Sequence, residues 1–217
     1  MSTRSILLIL VSVLAAVPGI GLAQESAKQL SARALEECEL GRRANEREVR
    51  LAHFEKGQAL AEQALAVNDM YADVHFALFC TLGEKLRIDG EKLTSLFGFR
   101  RALRELDRTL ELAPDHLDAL SSKGNLLVRL PVMLGGDAEK GEQMLRYVVQ
   151  RDPKAVSARV TLAKIYAARG NRMEALTLAT QALQNAQAER RTDLIPEAQA
   201  TLSALHKGHP ISLQVNP

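Results

Sequence analysis

The stretch from Val156 to Gln187 restricts the fold more than any other part of this 217-residue chain. It sets Leu162, Ala163, Tyr166, Gly170, Ala175 and Ala182 at the spacing of a helix-turn-helix repeat of about 34 residues. In such a unit small residues sit where two antiparallel helices touch. Leu162 and Tyr166, four apart, share one helix face and fill the gap. Gly170-Asn171 reads as the turn, and the unit serves as a ruler for the remainder of the chain.

Laid back along the sequence, the ruler puts Pro153 just past the preceding unit's second helix, where proline commonly follows a helix end. Pro114 and Asp115 hold the equivalent place one unit earlier. Pro114 and Pro153 are 39 residues apart, so the unit between them carries five extra. Its first helix reads Leu117 to Arg129, with Leu120, Gly124 and Leu127 on the packing face and Lys123 where a leucine is expected. Its second reads Ala138 to Gln150, with Gly141, Leu145 and Val148 inward. The surplus falls in the turn. Pro131 ends the first helix, Gly135 and Gly136 supply positive φ, and Asp137 caps the second helix.

One unit further back the helices read Ala72 to Arg87 and Phe99 to Leu112. Asp69 and Pro114 are 45 residues apart, which leaves 11 extra in a long connection containing Gly90 and the apolar Leu93, Leu96, Phe97 and Phe99. The first unit, with helices from about Glu25 to Arg47 and Leu51 to Val67, is the least regular. Asp193 to Leu205 carries one apolar stripe suited to a capping helix, and residues 208–217 read as a loose tail.

These units resemble the tetratricopeptide repeat (TPR). The turn Leu130-Pro131 to Gly135-Gly136-Asp137 is similar to one in secreted bacterial repeat proteins that accompany TRAP solute transporters, the T component, and the likeness spans about residues 55 to 185. It implies an all-α fold over residues 24–207, a right-handed α-solenoid of about four antiparallel helix pairs with a C-terminal capping helix. It further implies a non-enzymatic scaffold or adaptor that binds a protein partner beside a transporter or envelope complex. In such a solenoid the first helices line a concave groove that takes a peptide or helix. The register assigns to it Phe76, Cys80 and Glu84, then Ser121, Asn125 and Arg129, then Val160, Lys164 and Ala168. Asn125, Arg129 and Lys164 suit an anionic or C-terminal group. Contacts from the two long turns are expected at Leu93, Leu96, Phe97, Phe99, Pro131, Gly135, Gly136 and Asp137. A second class also fits: a binder of a hydrophobic small molecule, whose apolar channel is walled in part by residues 93–99.

Composition supports helices, with 47% apolar residues, 4% aromatic and no Trp. At the N-terminus Arg4 precedes an apolar run from Ile6 to Val17, then Pro18-Gly19 and Gly21-Leu22-Ala23. This is the pattern of a secretory signal peptide over residues 1–23, cleaved after Ala23 into a periplasmic protein. The run is shorter than the roughly 20 residues that span a bilayer, so no stable membrane span is expected after cleavage. An uncleaved anchor is the alternative.

Export makes a Cys38 to Cys80 disulfide a candidate. The repeat register sets the two at different heights on neighbouring helices, which argues for two buried thiols instead. The formal charge of +2 gives nucleic acid little to bind. Arg100, Arg104 and Arg108 form a stripe read as a solvated face. The five histidines are dispersed, so no metal site or cofactor is expected, and no catalytic constellation is present.

Overall fold

Ser26 opens the first helix with a reciprocal cap: its Oγ accepts from the Gln29 amide at 3.3 Å while Gln29 Oε1 accepts from the Ser26 amide at 3.0 Å. The computed structural model describes residues 25–89 and 95–208. Among them the chain is all-helical, without strands. The helices are α1 (Ala27–Arg43), α2 (Arg47–Val67), α3 (Ala72–Asp89), α4 (Ser95–Leu112), α5 (Leu117–Arg129), α6 (Ala138–Arg151), α7 (Val156–Ala168), α8 (Arg172–Ala188) and α9 (Ile195–Lys207), with a single 3₁₀ turn at Val132–Leu134. The expected signal segment, Leu93 and the tail beyond Gly208 lie outside the described residues.

Consecutive helices pair antiparallel as α1/α2, α3/α4, α5/α6 and α7/α8, and α9 packs on α7 and α8. The odd-numbered helices also touch one another: α1 meets α3, α5 meets α7, and α7 meets α9. Side-chain size sets these approaches. At the α5/α6 crossing two glycines face each other, and a Cβ on Gly141 would lie 2.7 Å from the Gly124 carbonyl oxygen. Any larger residue there would hold the two backbones apart. In α7/α8 the fully buried Ala163, Ala175 and Ala179 do the same work around Leu162 and Tyr166, and Ala182 does it beside Val160. Gly170, at φ 83°, makes the turn between them.

The α5–α6 connection is more ordered than its length requires. Pro131 begins the 3₁₀ turn, Gly135 adopts φ 87°, and the Asp137 side chain accepts from the Lys140 amide at 3.0 Å. Only Gly135 takes the positive φ expected of both glycines. Gly136 is required for space instead, because a Cβ there would collide with the Leu130 carbonyl. The Asp137 amide donates back to the Leu127 carbonyl at 2.9 Å and closes the loop onto α5.

Two expectations are corrected. Helix α4 begins at Ser95 and not at Phe99, so Leu96 and Phe97 belong to the helix with Phe99 and the connection is shorter than anticipated. The cysteines are bridged, with Cα atoms 6.4 Å apart. The register argument failed because the first unit places its surplus in a helix: α2 runs 21 residues. Cys38 thereby falls opposite Cys80, against Phe54.

Candidate functional site

The structure divides the groove residues assigned to the odd helices. Phe76, Cys80, Glu84 and Val160 are buried. Phe76 stacks between Phe79 and His116, with ring centroids 5.9 and 4.7 Å away. Cys80 is consumed by the disulfide, and Val160 packs with Ala182, Ala186 and Ala198. Glu84 meets Arg42 at 2.8 Å and Arg87 at 3.4 Å. These four positions point between helices, because side chains of the neighbouring helices fill the inner corner of each odd helix. Ala168 is exposed at the end of α7.

The other four lie closer to the surface and are linked. Asn125 donates to the Ser121 carbonyl at 2.8 Å and accepts from the Thr161 hydroxyl at 2.5 Å, which joins α5 to α7. One turn on, Arg129 Nη2 and Lys164 Nζ both reach Glu197 Oε1, at 3.2 and 2.7 Å. Glu197 comes from the first turn of α9, so the cations offered to an anionic partner already hold an internal carboxylate. Burial pushes that carboxyl up, but the Lys164 hydrogen bond and the charges of Lys164, Arg129 and Arg87 outweigh it and hold it below its ordinary range.

Sequence reasoning missed a second ionic group on the same surface. Arg191 grips Asp193 through two hydrogen bonds of 3.0 and 2.8 Å in the α8–α9 connection. Arg42 also favours the charged form of Asp193, while Glu39 and Asp118 favour that of Arg191. The start of α9 therefore faces residues from α1, α3 and α5 as well as α7. The only hint was the charge density of Glu189 to Glu197, which the apolar stripe of α9 outweighed.

The turn residues behave differently. Phe97 is 74% exposed in the first turn of α4, and Phe99 is half-buried. Pro131, Gly135 and Asp137 are exposed, and Gly136 is half-buried beneath them. Between these lie Val132, Met133 and Leu134, at 85, 89 and 64% exposure. An open depression of about 610 Å³ lies elsewhere, lined by Glu62, Leu65, Asp69 and His75 among others. Neither Phe97 nor Phe99 borders it.

No His, Cys, Asp and Glu group able to hold a metal occurs among the described residues, and no described helix is long and apolar enough to cross a membrane. No family model matches the chain, and no curated protein matches it in sequence.

Proposed function

We propose that the protein is an exported, non-enzymatic scaffold of the TPR type, a right-handed solenoid of about four repeats and a cap, that binds a protein partner along its odd-helix face. The observation that supports this most is the Ser121, Asn125 and Thr161 ladder, continued by Arg129, Lys164 and Glu197. It forms a polar track that runs from helix to helix and suits an extended peptide or a helix more than a small compact ligand. Arg129 and Lys164 meet an acidic side chain or chain terminus of that partner in place of Glu197. The likeness of the α5–α6 turn to that of the TRAP-associated T component makes a transporter or envelope complex the partner's setting.

A photo-crosslinking residue at Ser121, on this face, and another at exposed Gln143, on α6, test the reading in intact cells. One discrete protein adduct from Ser121 and none from Gln143 is expected. No adduct, or the same adducts from both positions, overturns it.

A further inference from the structure

Three residues hold the same place in successive helix pairs, six positions after the junctions at Asp69, Pro114 and Pro153: His75, Leu120 and Arg159. All three point inward, at 6, 9 and 6% exposure. What each finds there differs. Leu120 joins an apolar cluster and needs no partner. His75 has both ring nitrogens matched, to Glu105 of α4 and to the Asp69 carbonyl, each at 2.7 Å. Arg159 is left incomplete.

A guanidinium carries donors on all three of its nitrogens, and here the protein accepts from one of them. Arg159 Nη1 donates to the Ala155 carbonyl at 2.9 Å and to the Asp152 carbonyl at 3.3 Å. Nε is buried with no acceptor; Nη2 also has none among the described residues but reaches solvent. Nor does a carboxylate pair with the group. Asp152 turns its side chain to the Lys154 amide at 2.8 Å, and Glu189 meets Lys154 Nζ at 2.7 Å. Burial pushes the Arg159 guanidinium down from its ordinary value, and the charge of Asp152 only partly opposes this.

The two unanswered nitrogens form one edge of the guanidinium, whose parallel N–H groups match two oxygens of a single oxyanion. The anchors on Nη1 hold that edge in place. It lies beside the first turn of α7, because a helical side chain leans toward the N-terminus and both anchoring carbonyls precede the helix. Ala155 at the N-cap has no side chain to offer, so the amides of Val156, Ser157 and Ala158 also lack acceptors among the described residues.

We propose that Arg159 and the first turn of α7 form a binding site for a phosphate-type oxyanion, with two oxygens on Nε and Nη2 and a third on the free amides. A carboxylate would be used up by the guanidinium edge, whereas a phosphate has a further oxygen for the helix start. Net charge does not select the ion, since Arg151, Lys154 and Arg159 stand against Asp152 and Glu189. Selection comes from donors the protein leaves unanswered. None of these residues belongs to the track of Asn125, Thr161 and Lys164.

The test is a titration of the full chain with inorganic phosphate at constant ionic strength, read from the Arg159 Nε–H resonance assigned through its own side chain. The resonance moves downfield and saturates with a dissociation constant on the order of 1 mM or tighter. Arg159→Lys keeps the charge but loses the planar edge and weakens binding roughly tenfold or more. Lys154→Ala, whose ammonium is already held by Glu189, changes it less than about threefold. Should the lysine variant fail to fold, the Nε–H signal of the unaltered chain still decides. Three results overturn the proposal: an Nε–H already downfield without phosphate, which makes a trapped water or Asp152 the acceptor; shifts that do not saturate or that persist in Arg159→Lys; or acetate bound as tightly as phosphate.

Discussion

The α1–α3 region and the α5–α8 region build the same antiparallel packing by different means. In α5–α8 the helices of each pair approach because their crossing residues are glycine and alanine, and polar links are fewer: Asn125 to Thr161 between α5 and α7, and Arg169 to Glu142 between the end of α7 and α6. In α1–α3 the Phe54 ring fills the space beside Gly41, a disulfide ties α1 to α3, and charged pairs span the helices. His53 and Lys56 of α2 both reach Glu37 of α1, at 2.7 and 2.6 Å. Buried His75 of α3 bridges Glu105 of α4 and the Asp69 carbonyl, each at 2.7 Å. A regular helix pair can rely on shape, while an irregular one needs links that tolerate a displaced register.

The largest expected effect breaks the regular side. Gly141→Leu drives a side chain into the Gly124 backbone, which cannot rotate away, and is expected to cost about 3 kcal/mol or more in urea unfolding. The crosslinked side comes next. Cys38→Ala with Cys80→Ala removes a closed loop and is expected to cost about 2–4 kcal/mol. Hydrogen exchange should rise in α1–α3 before α5–α8; equal loss in both would make the molecule one cooperative unit and erase the contrast.

Acid sharpens the comparison, because carboxyls of α1 and α2, and those at the start of α9 that close off α5–α8, lie below their ordinary range. Burial opposes the charge at Glu37, Asp193 and Glu197 but is outweighed by donors from His53 and Lys56, from Arg191 and from Lys164. At Glu62 the Gln58 hydrogen bond leads, supported by Arg101. A carboxyl lowered in the folded state binds protons less readily than the unfolded chain. Its stabilisation is complete above the unfolded value of about 4 and is lost as pH falls through the folded one. The melting temperature should therefore drop below about pH 4, and Glu197→Gln should flatten that slope without moving the plateau by more than about 1 kcal/mol.

Smaller still, Thr161→Val leaves Asn125 Oδ1 without its donor and is expected to cost about 1 kcal/mol. Val132→Ser with Leu134→Ser should change stability by less than about 0.5 kcal/mol, since both side chains already face water. A larger loss would mean the tip packs on the body.

Local signals carried most of the fold. Leu117–Arg129 was legible to the residue because Asp115-His116 and Pro131 punctuate it, and the small residues of α7 and α8 marked their crossing. The start of α4 was misplaced because residues 95–99 are apolar without a cap or turn residue to mark the boundary. Register alone set Asn125, Arg129 and Lys164 on the odd helices, but it could not show that they bond to Thr161 and Glu197.

The sequence by itself determined that the chain is helical and where the punctuated helices such as α5 and α7 begin and end, since caps, prolines, glycines and apolar spacing act within a few residues. Only the tertiary structure decided that Cys38 meets Cys80, that Glu197 sits between Arg129 and Lys164, and that Val132, Met133 and Leu134 stand exposed. Each depends on how surplus residues are divided between helix and turn, and on which way successive helices point. Those offsets accumulate from one helix pair to the next, and no short stretch of sequence records them.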